Sequence, residues 1–376
     1  MPQIIDLGHR IHGSRVPRQK PKVLIIYIKL KIILVQNTNM DSILTEYQDY
    51  FGERDKNVLQ IIFPIMNKKR KYNCVINYED AIKCDDKSKF LKLVTYNQVN
   101  LQPFINLTYL DCSHNNLTIL PELPPLVTKL DCSCNKLTIL PELPLITELF
   151  CCYNQLTVLA APQLPLVTKL YCIGNQLTIL PELPLVTTLH CIGNQLTKLP
   201  ELPLVTELSC GNNQLTILPK LPFVTKLSCG NNKLTILPEI PFVTELNCGY
   251  NRLTILPELP LVTELICSSN QLTIIPELPL VTELNCNCCE LTILPKLPLV
   301  TVLNCAGNKL SILPKLPLVI VLNCNRNQLT ILPELPLVEI LYCSYNKLTT
   351  LPNVPLIKLQ YCDHNNNLIR TPLGKH

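Results

Sequence analysis

Twenty cysteines are the residues in this 376-residue chain with the plainest chemical potential. A thiol can cross-link, bind a soft metal or act as a nucleophile, and spacing decides which. Fourteen of them, from Cys112 and Cys132 through to Cys343 and Cys362, recur singly at close to nineteen-residue intervals. Zinc wants four ligands converging on one tetrahedron, which one thiol per interval does not supply. The other six are Cys74, Cys84, Cys134, Cys152, Cys288 and Cys289. Only the run Cys286-Asn287-Cys288-Cys289 is dense enough for a metal, and no histidine lies near it. The histidines His114 and His190 are four intervals apart, too far to share a site. No phosphate-binding loop and no H-E-x-x-H occurs. The expectation is a non-enzymatic chain with no metal and no cofactor.

The elements that must position these thiols are set by the repeat itself. Val243 to Leu261 reads V-T-E-L-N-C-G-Y-N-R-L-T-I-L-P-E-L-P-L, and nearly the same nineteen residues recur from Leu107 almost to the C-terminus. Counting Val243 as position 1 puts Leu246 at 4, Cys248 at 6, Asn251 at 9 and Leu253 at 11. Position 9 is Asn from Asn115 to Asn365 except at Cys289, which marks about 14 units. Apolar and polar residues alternate around Leu246-Asn247-Cys248, the period of a strand with one buried face. One short strand per unit, stacked in register, makes a parallel sheet with steps of about 4.8 Å and a length of roughly 65 Å. A single unit cannot bury its own apolar face, so the core must run along the stack. The ladder cysteines then face inward as small hydrophobes. Parallel Cβ vectors about 4.8 Å apart disfavour a disulfide, so fourteen reduced thiols in an intracellular, reducing compartment are expected.

On the other side, L-P-E-L-P-L places two prolines three apart, which excludes helix and favours extended or polyproline-II backbone. Such a thin return arc implies shallow curvature. The Asn amide at position 9 is expected to satisfy backbone groups in the turn after each strand, with local weakening at Cys289.

Charge is uneven. The first 100 residues hold 17 Lys+Arg against 10 Asp+Glu, which leaves 16 basic and 18 acidic residues for the rest. The repeats are therefore not a nucleic-acid surface by charge. Residues 1–39 read as a basic tail, disordered or not native to the protein. Met40, just before the helix start at Asp41, is the alternative initiator. The tail's apolar run Val23–Val35 is broken by Lys29 and Lys31, and is too short and too charged to span a membrane. Residues 40–105 are expected to form a small α-helical N-terminal cap over the solenoid end, with short helices over Asn77–Cys84 and Lys89–Tyr96 among them. Residues 106–370 are the solenoid, and 371–376 a tail. Polar Gln360 at position 4 suits a terminal repeat.

The pattern L-x-x-L-x-C-x-x-N-x-L resembles the leucine-rich repeat with Cys in place of the third Leu. Its L-P-E-L-P arc is similar to the short bacterial-effector class. The near-identical repeats and the Ile-, Asn- and Lys-rich N-terminal region resemble leucine-rich-repeat proteins of giant DNA viruses of amoebae, the mimivirus group. The resemblance implies a repeat solenoid with a parallel β-sheet on the concave face, an extended convex side with few helices, and an interaction role inside a host cell. The ubiquitin-ligase domain that accompanies such repeats in bacterial effectors has no room here.

Positions 3 and 5 flank the inward Leu and should face the concave surface. Position 3 is polar until Glu283, then becomes Val302, Val321, Ile340 and Leu359, with Tyr342 and Tyr361 beside the last two at position 5. A contiguous exposed apolar ridge marks an interaction site. Phe150, Tyr171 and His190 at position 5 form a smaller second candidate, with Tyr153 nearby. The expected function is a protein-binding scaffold with its partner on the concave face. The alternatives are a self-assembling structural or virion protein, and a ubiquitin-ligase adaptor acting through the N-terminal helical region.

Overall fold

The computed structural model describes residues 75–76, 90–93, 101, 105–159 and 164–365. Among these residues sixteen strands form one sheet in strict sequence order, and every neighbouring pair is parallel. β1 is Val75–Ile76 and β2 is Phe90–Leu93; three-residue strands follow from β3 (Tyr109–Asp111) to β16 (Leu359–Tyr361). Register is one to one across units, as in Glu245↔Glu264 and Leu246↔Leu265. No helix occurs among the described residues, and the return arcs are irregular and extended. The short helix expected over Lys89–Tyr96 is instead strand β2, with Phe90 opposite Tyr109 and Leu91 opposite Leu110. A four-residue apolar run does not tell helix from strand by its period. The other N-terminal expectations, for residues 1–39 and for the helices of the cap, fall outside the described residues, as does the tail 371–376.

The core is one continuous column. Val at position 1, Leu at 4, Cys at 6 and Leu at 11, 14 and 17 are buried in nearly every unit. Along Glu245–Asn247 the middle residue is buried and its neighbours are half-exposed, the alternation expected of a strand with one face in the core.

Two polar ladders tie the units together. Asn251 shows the first. Its Nδ2 donates to the carbonyls of Cys229 in the preceding unit at 3.1 Å and of Cys248 in its own at 3.1 Å. Its Oδ1 accepts the amide of Leu234, also in the preceding unit, at 3.0 Å. One carboxamide thus satisfies buried backbone groups of two coils at once. The second ladder lies at position 2, where Thr244 Oγ1 donates to the Thr225 carbonyl at 3.2 Å and the pattern repeats along the stack.

Between strand and Asn the chain turns through a left-handed residue. Position 8 has positive φ in every unit, from His114 (56°) to His364 (56°), whether it is Tyr, Asn, Ser, Cys, Arg or Gly. Left-handed backbone costs an L-residue roughly 1–2 kcal/mol. In the units with Asn at position 9 its amide bonds to the carbonyls of positions 6 and 7, as Asn251 does; Cys288 keeps the same backbone ahead of Cys289.

The thiol ladder differs from expectation at its end. Cys112 to Cys324 are free and buried, but Cys343 and Cys362 are disulfide-bonded, with Cα atoms 4.7 Å apart. That separation lies inside the window of about 4.4–6.8 Å that a disulfide accepts, so stack spacing alone does not forbid the bond. The last described rung also differs from the inner ones in its core position. Position 4 is half-buried Gln360 rather than buried Leu, and among the described residues no further strand is hydrogen-bonded beyond β16.

Candidate functional site

The concave face is built from positions 3 and 5, which every strand presents on either side of its buried Leu. Position 3 runs as a charged ladder in its first part. Glu148 takes Lys129 at 3.0 Å and Lys169 at 3.1 Å. Burial alone would raise the Glu148 carboxyl, but hydrogen bonds and charge from both lysines overcome that and hold it below the ordinary value. Farther along, Lys226 pairs with Glu245. Glu264 and Glu283 come next and form no ion pair among the described residues.

The row then turns apolar. Val302, Val321, Ile340 and Leu359 are direct register partners on consecutive strands. Val302 and Leu359 are exposed, and Val321 and Ile340 half-buried. Beside them the rings of Tyr342 and Tyr361 stack at 5.4 Å, only 2° from parallel. The structure therefore brings all six residues of the ridge onto one surface. A groove of about 600 Å³ crosses the adjoining strands, from Glu207 and Lys226 at one end to Val321 and Tyr342 at the other.

The second sequence-derived cluster also assembles. Phe150 and Tyr171 stack at 4.6 Å and 11°, and Tyr171 meets the His190 ring at 4.7 Å. His190 Nε2 lies 3.0 Å from Glu207 Oε1, and Lys129 Nζ sits 5.3 Å over the Phe150 ring. These rings have partners within the chain at every step. Tyr153 belongs to a different row: it is the left-handed turn residue, and its ring covers Gly174.

The thiols are chemically quiet. Burial pushes Cys191, Cys229 and Cys305 from 9.0 up to about 12, which removes the thiolate needed for nucleophilic or metal chemistry. In the Cys286–Cys289 run, Cys286 and Cys289 are buried and Cys288 is exposed, so the three sulfurs do not share one environment. Among the described residues no cluster of three or more His, Cys, Asp or Glu is placed to hold a metal.

Sequence reasoning did not single out two exposed rows outside the concave face. Position 13 carries Ile217, Ile236, Ile255, Ile274, Ile293, Ile312 and Ile331 on seven consecutive units, each more than half exposed. Position 19 carries an unbroken exposed series from Leu126 to Leu356 that includes Phe223 and Phe242. The signal was present in the repeat, but apolarity there looks the same as in the buried Leu residues on either side.

A family model for the leucine-rich repeat matches residues 106–126. No curated protein matches the sequence. Among solved structures, YopM, a leucine-rich effector protein from Yersinia pestis, is similar at 31% identity and TM-score 0.55, over 74% of this chain and 83% of that one. The leucine-rich-repeat protein LIC12759 of Leptospira interrogans is similar at 25% identity and TM-score 0.53, over 76% and 98%. The functional domain of InlJ from Listeria monocytogenes, which includes a cysteine ladder, is similar at 28% identity and TM-score 0.53, over 71% and 63%. One strand per nineteen-residue unit, an inward Leu and Cys on nearly every one, an Asn closing nearly every turn, and this agreement with YopM over most of both chains lead to one conclusion: the chain belongs to the leucine-rich-repeat proteins.

Proposed function

We propose that this chain is a non-enzymatic scaffold that binds a protein partner on its concave face, at the ridge Val302–Leu359. One observation carries the reading. A position that is charged or polar from Lys129 to Glu283 becomes apolar on four consecutive rungs, beside two stacked tyrosines. A solvated sheet face gains nothing from that change, whereas contiguous apolar surface with aromatic anchors is what a binding hot spot uses. The run of buried free thiols from Cys112 to Cys324 fits a reducing, intracellular setting, against which the Cys343–Cys362 bond counts, and the style of the repeats fits an origin among giant viruses of amoebae. Ile340→Asp with Tyr342→Ser should abolish partner capture from host lysate while circular dichroism stays unchanged. If capture survives at full affinity, and Phe150→Ala with Tyr171→Ala abolishes it, the partner sits at the other end.

A second reading, self-assembly, is favoured by the exposed rows at positions 13 and 19. A line of identical Ile side chains repeating at about 4.8 Å suits a partner with the same repeat. On that reading sedimentation shows concentration-dependent assembly, and Ile236→Glu, Ile255→Glu and Ile274→Glu together return the protein to monomer. A monomer at all concentrations before substitution rejects it.

A further inference from the structure

Resting on the concave-face reading, we propose that the occupant of the groove is an extended peptide segment with two chemical halves. Two or three Lys or Arg residues lie over the Glu245–Glu264–Glu283 row, and aliphatic or aromatic residues lie over the Val302–Leu359 ridge.

Three features of the face support this occupant together. The first is charge. Glu245, Glu264 and Glu283 are direct register partners on three successive strands. Like charges directly opposite one another across strands are destabilising. Lys226 forms an ion pair with the first of them, its charge reaches Glu264 more weakly, and Glu283 has no ion pair among the described residues. Units nearer the N-terminus alternate lysine with glutamate in the same row, so the acidic series is a departure from this chain's own pattern. An acidic row alone would be a solvated face; here it runs straight into the apolar ridge.

The second feature is the row beside it. At position 5, Asn247, Asn285, Asn304 and Asn323 each accept the backbone amide two residues on, at 3.2, 3.4, 3.3 and 3.2 Å. An N–H can be accepted only by Oδ1, so each carboxamide is oriented with its Nδ2 on the other side. These oriented donors, interrupted at exposed Ile266 between Asn247 and Asn285, are complementary to the carbonyls of an extended backbone. Neither a membrane surface nor a nucleic acid offers a basic–apolar strand of carbonyls.

The third feature is length. From Glu245 to Leu359 is six rungs, about 29 Å, which an extended chain covers in about nine residues. Side chains on one side of that peptide recur every ~6.6 Å against rungs every ~4.8 Å. Only some rungs can then be met in phase, so the acidic and apolar halves act as zones rather than as one pocket per residue.

Phage-displayed random nine-residue peptides selected on the full chain test this directly. The expected result is enrichment of peptides with Lys or Arg toward one end and Leu, Ile, Val or aromatic residues toward the other. Their affinity should fall about tenfold or more on Glu264→Lys with Glu283→Lys, and be lost on Ile340→Asp with Tyr342→Ser. Lysine is already native to this row at Lys129, Lys169 and Lys226, so the reversal is compatible with the fold. Peptides that are sensitive to the ridge substitutions, show no basic bias and ignore the glutamate reversal would overturn this inference and leave the concave-face reading standing. Enrichment insensitive to both pairs of substitutions overturns the two together.

Discussion

Raising the pH from 8 to 10 should unfold this protein, with most of the loss between about pH 9 and pH 10. Twelve ladder thiols from Cys112 to Cys324 are buried and free. Burial raises all of them, Cys112, Cys191, Cys229 and Cys305 from 9.0 to about 12, and others, such as Cys210 and Cys248, well above 9.0 with neighbouring thiols adding to the shift. In the unfolded chain the same groups lose their protons near pH 9. Within that window the folded state holds more protons than the unfolded state. Stability is therefore fully present below pH 9 and falls as pH rises toward the folded values. Each thiol contributes on the order of 1 kcal/mol of loss at pH 10, and twelve together on the order of 10 kcal/mol, comparable to a domain's usual margin of about 5–15 kcal/mol. Urea denaturation followed at pH 7.5, 9 and 10 measures this. Replacing Cys210, Cys229 and Cys248 by Ala should make the pH slope shallower by about a quarter. Equal urea midpoints at pH 7.5 and 10 would show that the ladder is not the buried column described here. The disulfide-bonded Cys343 and Cys362 do not titrate and add nothing to the slope.

How much of this was readable in the sequence differs from feature to feature. The inward Leu246 and Cys248 and the outward Glu245 and Asn247 follow from a two-residue period, and the period survives because one face must be buried. The ridge followed from the same register: once Glu283 faces outward, so do Val302 and Ile340. The left-handed turn was not readable, because position 8 is His, Cys, Tyr, Gly, Asn, Ser or Arg and so has no signature. Its conformation goes with the repeat as a whole: Cys288 is left-handed too, although Cys289 rather than Asn follows it. Nor was the exposure of Ile255 readable between buried Leu253 and Leu256, since all three are simply apolar. Strand β2 was hidden because Phe90–Leu93 lacks the Asn and Pro that mark later units, although Phe90 stands nineteen residues before Tyr109. The Cys343–Cys362 bond was not readable because every unit carries the same inward Cys, and nothing within one unit marks the pair that joins.

Replacing Asn251 with Ala should cost about 3–5 kcal/mol, a large effect for an exterior turn. Its carboxamide bonds four backbone groups in two coils: the carbonyls of Cys229, Cys248 and Gly249, and the amide of Leu234. Alanine leaves these groups without partners where water cannot easily reach, and each buried orphan costs about 1–3 kcal/mol. It also releases the left-handed Tyr250 from the bonds that hold it. The loss should be local, since each unit touches only its neighbours. Amide exchange at Leu234 and at the strands on either side should then accelerate far more than at Leu130 or Leu341. The chain contains its own control at Cys289. There the thiol reaches the Cys267 carbonyl at 3.4 Å and the Asn287 carbonyl only at 3.8 Å, and no bond to its own Cys286 carbonyl is formed among the described residues. One S–H stands where an Asn would offer two N–H donors, and sulfur is a weak donor. Cys289→Asn should therefore stabilise the protein by about 1–2 kcal/mol, with slower amide exchange at Leu272. The two substitutions act on the same ladder in opposite directions. An Asn251→Ala protein as stable as one carrying Thr254→Ala, an exposed neighbour, would show that packing alone holds the coils together. The ladder would then be a consequence of the stack rather than one of its causes.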